Sequence, residues 1–402
     1  MKIGILKETK TPPDNRAPLS PEQCRLLEDL YPELKVFVQS SDIRCFHDTA
    51  YEQEKITVKD DLSECDLLLG VKEVKPQYLL QGKTYLFFSH TIKKQTHNKS
   101  LLKAILDKHI RMVDYETLID RNGLRIIGFG RWAGLVGTYN GLRAMCIRYH
   151  LPGLLPPQEC HGLKDMLDQA SACKLPPLRI AITGDGRVAG GSEEMLKAFG
   201  VHKADATEYL NVRHPVNSIY VLLGPDKYHR NKMGDPFDLH HFFSSPHVYE
   251  SSFDLFIDRT DLLIMAAYWD PRAPVLFTQD QMNTPGFSIR VIADISCDLN
   301  GSVPSTIRTT TFSDPFYDYN PKTGKEEAAF CNPDNITVMT IDNLPCGLPI
   351  EASIDFGEKL MNFVLPHFMN GDPDKIIAGA TIAEKGRLTE KYNYLEKWVN
   401  EQ

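Results

Sequence analysis

A glycine-rich turn between an apolar run and a helical pattern restricts the fold of this chain more than any other feature. Residues 178–183 are apolar and β-prone, and residues 192–199 have helical spacing. Between them, Gly184 permits a tight turn, Gly186 lets the backbone approach a pyrophosphate, and Gly191 or the glycine before it permits close packing of the helix against a sheet. This order predicts a dinucleotide-binding unit with the phosphates over the helix N-terminus; the alternative is a plain strand-to-helix turn.

The second strand of such a unit usually ends in an acidic residue, about 20 residues further on, which binds the adenosine ribose. Residues 205–210 read as that strand, which places Leu210 or Asn211 at its end, with Arg213 and His214 just beyond. Basic groups at this place favour a 2′-phosphate, so the sequence favours NADP over NAD. Asp205 and Glu208 are alternative ribose partners if the strand has another phase.

A chain of 402 residues exceeds what one hydrophobic core usually supports, which predicts two domains. In the first third, short apolar runs alternate with helical patterns, and this alternation predicts a parallel α/β sheet. The strands predicted there are residues 2–6, 34–38, 66–69, 84–88 and 111–115. A helix should begin at Pro21, because Ser20 can cap it and Gln23 can return the bond.

The rest of the chain divides into predicted strands, helices and irregular stretches. Further strands are expected at residues 178–183, 205–210, 262–267, 288–294 and 336–341. Further helices are expected at residues 99–109, 134–150, 192–199 and 350–369. Residues 151–177 read as a surface connection around one short helix, and residues 213–254 read as an irregular insertion.

Composition argues against several classes of partner. A formal charge of -8 and a pI near 5.9, without a basic block, argue against a nucleic-acid partner. No apolar stretch approaches the roughly 20 residues of a membrane helix, and the N-terminus does not resemble a signal peptide, so we expect a soluble, cytoplasmic protein. The nine cysteines include no C-x-x-C pair, which predicts free thiols and no metal site. Monomer and homo-oligomer both stay open.

Polar side chains follow two neighbouring predicted strands. Lys72 and Glu73 follow the strand at residues 66–69, and His90 and Lys93 follow the next one. Because the carboxyl ends of parallel strands line the ligand crevice, these side chains could face one site. A histidine and a lysine of lowered pKa can move protons to and from an amine. The alternative is that they are ordinary residues of surface loops.

Further candidate residues also lie at strand ends. Arg16 follows the first strand and could bind a substrate carboxylate through its planar fork, or it could form a surface ion pair. Glu116 follows the strand at residues 111–115, and Asp294 ends a strand that could border a nicotinamide ring. The predicted cofactor residues are Gly184, Gly186, Arg187, Val188, Gly191, Asn211 and Asp294.

Several short motifs occur in the order found in one known family. They are Lys7-Glu8, Gly70-Val-Lys-Glu-Val, Phe88-Ser-His-Thr-Ile-Lys, Phe129-Gly-Arg-Trp-Ala-Gly, Ala293-Asp-Ile-Ser, Ile341-Asp-Asn-Leu-Pro and Leu348-Pro-Ile-Glu-Ala. In these motifs, which span nearly the whole chain, the sequence resembles the alanine dehydrogenase and pyridine nucleotide transhydrogenase superfamily. Within it, the sequence resembles the L-lysine-forming saccharopine dehydrogenases and lysine-ketoglutarate reductases.

The resemblance implies an α/β fold of two Rossmann-like domains with parallel sheets. The dinucleotide-binding domain would be inserted into a discontinuous substrate and catalytic domain. We therefore expect the substrate domain at residues 1–134 and 342–402, and the dinucleotide-binding domain at residues 135–341.

The resemblance also implies an NAD(P)-dependent dehydrogenase that acts on a CH–NH bond. Its reaction would be the reductive condensation of L-lysine with 2-oxoglutarate to saccharopine, or the reverse, with the amino acid and the 2-oxo acid as small-molecule partners. Lys72 and His90 would be the acid-base pair, and Arg16 and Lys93 would lie near substrate carboxylates. The implied substrate-binding residues are Arg16, Glu73, Lys93 and Glu116.

Two alternatives stay open. The first is a related amino-acid dehydrogenase or opine-type synthase that acts on a different amine and oxo acid. The second is a homologue that binds a dinucleotide without catalysis.

Overall fold

The computed structural model describes residues 1–401, which form alternating strands and helices. The strands are β1 (Lys2–Ile5), β2 (Lys35–Gln39), β3 (Thr57–Lys59), β4 (Leu67–Leu69), β5 (Thr84–Phe87), β6 (Arg111–Asp114), β7 (Arg179–Thr183), β8 (His202–Ala204), β9 (Ile219–Leu223), β10 (His229–Asn231), β11 (Tyr249–Ser251), β12 (Leu262–Met265), β13 (Val291–Asp294), β14 (Tyr317–Asn320), β15 (Lys325–Glu327), β16 (Ile336–Met339), β17 (Thr381–Glu384) and β18 (Arg387–Leu388). The α-helices are α1 (Pro21–Leu30), α2 (Asp48–Gln53), α3 (Lys99–Asp107), α4 (Gly130–Arg148), α5 (Leu163–Ala172), α6 (Arg187–Ala198), α7 (Ala206–Asn211), α8 (Pro225–Tyr228), α9 (Leu239–Ser244), α10 (Asp254–Ile257), α11 (Gln279–Met282), α12 (Pro349–Phe363), α13 (Leu365–Met369), α14 (Ile376–Ala380) and α15 (Glu396–Asn400). Among the described residues, no helix has both the length and the apolar character that crossing a bilayer requires.

The chain divides into two compact units. The first unit contains Met1–Phe129 and the described residues from Pro349 onward, and the second contains Gly130–Leu348. In chain order, the second unit interrupts the first. The boundaries predicted from the sequence, at 134/135 and 341/342, fall a few residues inside the second unit.

The first unit is built on a sheet of eight strands in the order β18-β17-β6-β5-β4-β1-β2-β3. Strands β1 to β6 pair in parallel, whereas β17 runs antiparallel to β6 and β18 runs antiparallel to β17. Strands of a parallel sheet are commonly buried on both faces and read as continuous apolar runs; all three residues of β4, Leu67–Leu69, are buried. The five strands predicted in this part of the chain are confirmed.

Helix α1 begins at Pro21, as predicted. Ser20 Oγ accepts from Gln23 N at 3.2 Å, and Ser20 N donates to Gln23 Oε1 at 2.9 Å, so each residue satisfies the other. Gln23 Nε2 also donates to Ile354 O of α12 at 2.8 Å. A Cβ on Gly357 would lie 2.0 Å from Gln23 Oε1, so a larger residue at this position would displace the Gln23 side chain from its contact with α12. The helix that follows the second unit thus packs on the N-terminal part of the chain.

The second unit also has a sheet of eight strands, in the order β15-β14-β16-β13-β12-β7-β9-β8. Neighbouring strands among β16, β13, β12, β7, β9 and β8 pair in parallel. Strands β14 and β15 add antiparallel pairs at one edge of the sheet. Strands β7, β12, β13 and β16 lie where the sequence predicted them. A separate hairpin, β10 with β11, lies outside this sheet.

Two predictions for the second unit are wrong. Residues 205–210 do not form a strand, because Asp205 accepts from Glu208 N at 2.9 Å and caps helix α7. The strand beside β7 is β9, which lies inside the stretch at residues 213–254 that was predicted to be irregular. Asn211 is therefore the exposed last residue of a helix rather than the end of a strand.

Helices α4 and α6 cross at a contact that only glycine allows. A Cβ on Gly134 would lie 2.0 Å from Val188 O, and a Cβ on Gly191 would lie 2.0 Å from Arg131 O. Gly191 thus permits close packing, but its partner is helix α4 rather than the sheet. The crossing fixes the helix that begins at the glycine turn.

Candidate functional site

In the first unit, polar side chains gather where the parallel strands β1, β4, β5 and β6 end. Glu8, after β1, accepts from Val71 N at 2.6 Å and from Lys72 N at 2.9 Å through its two carboxylate oxygens. Burial and the charge of Asp14 raise the pKa of Glu8 to about 8, although these two hydrogen bonds oppose the change. Glu8 therefore shapes the backbone at Lys72 and titrates close to neutral pH.

Lys72 lies half-buried at the end of β4. Within residues 1–401, its ammonium group makes no hydrogen bond or ion pair. Burial, and then the nearby cations Arg16 and Lys10, lower the pKa of Lys72, while Glu73 acts in the opposite direction. A lysine with a lowered pKa and no protein partner is well suited to exchange a proton with a ligand.

His90 lies between two carboxylates at the end of β5. Its Nδ1 is 3.2 Å from Glu116 Oε2, and its Nε2 is 3.5 Å from Glu73 Oε1. The imidazole stacks on Phe88, with the ring centroids 6.2 Å apart and the planes 16° from parallel. The φ angle of His90 is 52°, in the left-handed region that few residues other than glycine adopt. The carboxylates and the aromatic ring together fix the orientation of the imidazole.

Glu116 connects this histidine to two further cations. Its Oε1 is 2.8 Å from an Arg125 guanidinium nitrogen and 3.3 Å from Lys93 Nζ. Burial alone would raise the pKa of Glu116, but the hydrogen bond to His90 and the charges of Lys93, His90 and Arg125 outweigh it and lower this pKa to about 2. The structure therefore brings four predicted residues into one network: Glu73, His90, Lys93 and Glu116.

Three buried polar atoms in the first unit's strand-end loops have no hydrogen-bond partner within the described residues. They are Asn15 Oδ1, Glu73 Oε2 and Tyr115 Oη. Unpaired buried polar atoms are rare in folded proteins, and each one needs an explanation such as a bound ligand or water. The free oxygen of Glu73 belongs to the same carboxylate that faces His90.

Arg16 is held in a buried ion pair. The Arg16 side chain donates to Asp14 from Nε at 3.0 Å and from Nη2 at 2.5 Å, and its guanidinium lies 4.1 Å from the centre of the Phe129 ring. Since Arg16 is only 3% exposed, the alternative of a surface ion pair is wrong. The bidentate pair and the aromatic face fix the guanidinium in one position.

Sequence reasoning missed the buried acids that build this site, Glu8, Asp14 and Asp114. Asp114 accepts from Ser89 N at 3.2 Å, from Ser89 Oγ, and from Glu116 N at 2.7 Å. Burial raises the pKa of Asp114 to about 6. Asp114 thereby ties the residue before His90 to the loop that carries Glu116. The sequence feature that could have revealed Asp114 is an acidic residue at the end of a largely apolar strand.

In the second unit, the glycine turn lies between β7 and α6. Gly184 has φ 95°, and a Cβ there would lie 3.0 Å from Ala266 O. Gly186 is the N-cap of α6, no side chain caps this helix end, and a Cβ on Gly186 would meet nothing within 4 Å. The helix N-terminus can therefore be approached closely by an anion, so the turn fits a pyrophosphate.

A cavity of about 210 Å³ adjoins this turn, and several aromatic side chains line it. His229 lines it, is 5% exposed and stacks on Phe242 at 4.7 Å between ring centroids. Burial lowers the pKa of His229 to about 4, so the ring is neutral. Within the described residues, His229 Nδ1 and Trp269 Nε1 are buried without a hydrogen-bond partner. An aromatic cavity with a few unpaired polar atoms suits a planar heteroaromatic ring, such as the adenine of a dinucleotide.

The other predicted cofactor residues differ in their positions. Arg187 and Val188 form the first turn of α6, beside Gly130 of α4. Asp294 is 1% exposed, and it accepts from Ser296 N, Ser296 Oγ, Cys297 N and Thr306 Oγ1 at 2.6–3.1 Å. These bonds make Asp294 part of the turn after β13, so we do not retain it among the cofactor residues. The same holds for Asn211, whose predicted strand does not exist.

The N-terminal part of the chain matches a known family. Residues 4–136 match the family described as alanine dehydrogenase/PNT, N-terminal domain. This stretch contains the end of β1, all of β2 to β6 and the strand-end residues described above. The predicted resemblance is thereby confirmed.

The relatives of the chain include two kinds of protein. It is 30% identical to alpha-aminoadipic semialdehyde synthase, mitochondrial, of Bos taurus, over 98% of this chain and 47% of that protein. It is 26% identical to saccharopine dehydrogenase (NAD(+), L-lysine-forming) of Yarrowia lipolytica, over 91% of this chain and 92% of that protein. The chain thus spans about half the length of the synthases it matches and nearly the whole length of the dehydrogenase.

Solved structures share the fold at low sequence identity. An L-alanine dehydrogenase matches with a TM-score of 0.67 and 17% identity, over 99% of this chain and 100% of that one. A transhydrogenase from Sinorhizobium meliloti matches with a TM-score of 0.58 and 15% identity, over 97% of this chain and 99% of that one. These likenesses confirm the predicted α/β class with two Rossmann-like sheets.

Proposed function

We propose that this chain is a nicotinamide-dinucleotide-dependent dehydrogenase that joins L-lysine and 2-oxoglutarate reductively to saccharopine, or runs the reverse reaction. The observation that carries the proposal is the pair of proton-transfer groups in the first unit. Lys72 has a lowered pKa, and its ammonium group has no partner within the described residues. His90 is oriented by two carboxylates. The names of the relatives support the choice of substrates.

This reaction needs proton transfer at two atoms. The ε-amino nitrogen of lysine must lose a proton before it attacks the keto carbon, and the hydroxyl of the resulting carbinolamine must gain one before water leaves and an imine forms. Lys72 takes the proton from the amine, because its lowered pKa makes the neutral form accessible. His90 gives the proton to the departing hydroxyl. The bound nicotinamide supplies the hydride that reduces the imine carbon.

The substrates bring positive and negative groups that need partners. Lysine and 2-oxoglutarate together carry three carboxylates, and we assign Arg16 and Lys93 to two of them. The buried Arg16 is rigid through Asp14 and Phe129, whereas Lys93 has a side chain that is 45% exposed and pairs with Glu116. The unpaired Oε2 of Glu73 accepts from a substrate ammonium or amine.

The coenzyme belongs to the second unit in this proposal. The backbone N–H groups that follow Gly186 would hold the pyrophosphate, and the missing side chain at Gly186 would leave room for it. The aromatic cavity beside the turn would hold the adenine. Residues of the first unit would then carry out the proton transfers, while those of the second unit bind and orient the coenzyme.

The test is coenzyme oxidation by the purified full chain, followed by absorbance, with L-lysine and 2-oxoglutarate present together and each omitted in turn. We expect oxidation only when both are present, and a product whose mass corresponds to one new C–N bond. If the coenzyme were oxidised only with a different amine or a different oxo acid, that pair would be the substrates instead. Coenzyme binding without oxidation for any pair would leave a non-catalytic homologue.

Small molecules are the partners that this proposal requires, and no nucleic acid enters it. The cytoplasmic location stays a prediction, and the name of the bovine relative includes the word mitochondrial. The choice between monomer and homo-oligomer stays open.

A further inference from the structure

The sheet order of the second unit places β9 beside β7, the strand that leads into the glycine turn. In a dinucleotide-binding unit, the ribose lies at the end of the strand next to the one that leads into the glycine turn. Here that neighbour is β9, because β8 lies at the edge of the sheet. Gly184 N donates to Leu223 O at 2.8 Å, so the end of β9 directly contacts the glycine turn.

Two carboxylates lie at this junction. A Cβ on Gly224, the residue after β9, would be 2.7 Å from Asp226 Oδ1 and 3.6 Å from Asp185 Oδ2. Both acids also act on the hydroxyl of Tyr228: burial, and then the charges of Asp185 and Asp226, raise the pKa of Tyr228. The carboxylates from the glycine turn and from the end of β9 therefore lie close together.

The aromatic cavity adjoins these acids. Asp185, Pro225 and Tyr228 line the aromatic cavity, and so does His229, whose buried Nδ1 has no hydrogen-bond partner within residues 1–401. The unpaired imidazole nitrogen points to a missing ligand, independently of the acidic pair.

We propose that Asp226, together with Asp185, selects NAD(H) against NADP(H). Carboxylates accept hydrogen bonds from the two ribose hydroxyls and repel a 2′-phosphate, which carries about 1.5 to 2 negative charges at neutral pH. This inference rests on the proposed function of the second unit, and it reverses the preference for NADP that the sequence suggested.

The basic residues of this region do not cancel the effect. Lys227 Nζ lies 2.9 Å from Asp226 Oδ2, so one ammonium faces two carboxylates and the junction stays net negative. Arg213 lies on the segment that leads to the start of β9, where Ile219 pairs with Arg179. Since β7 and β9 are parallel, that end of the sheet is opposite to the glycine turn.

The test is equilibrium binding of NADH and NADPH to the full chain, followed by the fluorescence of the bound coenzyme. We expect NADPH to bind at least about tenfold more weakly than NADH at low salt. Raising the ionic strength should reduce this ratio, because salt screens repulsion between exposed charges. Attraction of the 2′-phosphate to lysine would give the opposite salt dependence.

Substitutions identify the residues responsible. Asp226→Asn and Asp185→Asn should each lower the ratio of the two dissociation constants several-fold, mainly by tightening NADPH. Asp168→Asn removes the same charge from an exposed position on α5 and should leave the ratio unchanged. Two substitutions at separate positions keep the test decisive if one variant does not fold.

The outcomes separate this inference from the proposed function. If NADPH binds as tightly as NADH, or if neither substitution changes the ratio, the selection by Asp226 and Asp185 is refuted while the coenzyme site stands. If neither coenzyme binds, the coenzyme site is refuted, and this inference with it.

Discussion

Replacing Lys72 with methionine should abolish catalysis and stabilise the protein. The proposed mechanism requires the ε-amino group, so we expect turnover to fall by about 10²-fold or more. The fold, in contrast, holds this ammonium half-buried, with no partner among residues 1–401, and burial lowers its pKa from the ordinary value of 10.5. A charged group whose pKa falls on folding is destabilising at every pH below its folded value.

The size of the gain follows from the surroundings of Lys72. A fully buried ion costs several kcal/mol. Since each unit of pKa lowering corresponds to about 1.4 kcal/mol, we take about 1 kcal/mol as the order of magnitude for this half-buried ammonium group. Methionine has a similar length and carries no charge, so this cost disappears. For a unit of this size, about 1 kcal/mol raises the Tm by about 2–4 °C. As the pH rises toward 10.5, the wild-type lysine loses its proton, and the difference between the two proteins should shrink.

The assay compares turnover and thermal unfolding of both proteins over a range of pH. Lys75→Met is the matched control, because Lys75 lies three positions further along the same loop and is exposed. It should change neither turnover nor Tm. If the Lys72→Met protein were less stable than the wild type, the half-buried ammonium group would not destabilise the fold, and this prediction would be wrong. Full turnover would remove it from the mechanism.

Two further substitutions test the supporting contacts. Glu116→Gln should destabilise the protein by up to about 3 kcal/mol near neutral pH, because the fold lowers the pKa of this carboxylate from 4.5 to about 2. The difference from wild type in the free energy of unfolding, measured with urea, should disappear as the pH falls from 4.5 to about 2. Glu358→Gln, on the exposed face of α12, should show no such pH dependence. Gly191→Ala should destabilise the second unit by about 3 kcal/mol or more, because its Cβ would lie 2.0 Å from Arg131 O. Gly190→Ala places its Cβ in open space, so it should be neutral or slightly stabilising. Calorimetry measures both effects, and equal effects would contradict the close glycine contact between α4 and α6.

Much of the first unit was predictable because its sheet is parallel and buried. Buried strands such as β4 read as apolar runs, and the polar residues that follow them mark the strand ends. Lys72 and His90 were found in this way. The ion pair of Arg16 with Asp14 could not be read from sequence spacing, since the burial of the pair depends on the packing of Phe129 and its neighbours.

The second unit shows where local patterns compete. Residues 205–210 contain β-prone side chains, but Asp205 with Glu208 three positions later is also a helix-start signal, and in the structure the cap forms. The apolar run of β9 was readable, yet its Pro- and His-rich flanks led to the prediction of an irregular insertion. The order of the strands in the sheet, which places β9 beside β7, is set by tertiary packing and not by any local pattern.

The left-handed backbone conformation at His90 determines which substitution can test its role in proton transfer. An alanine at φ 52° would add conformational strain of about 1 kcal/mol to the loss of the ring, and the two effects would be confounded. Asparagine tolerates this region far better, so His90→Asn removes the imidazole while keeping the main chain in place. The choice of side chain at this one position therefore separates a defect in proton transfer from a defect in the shape of the loop.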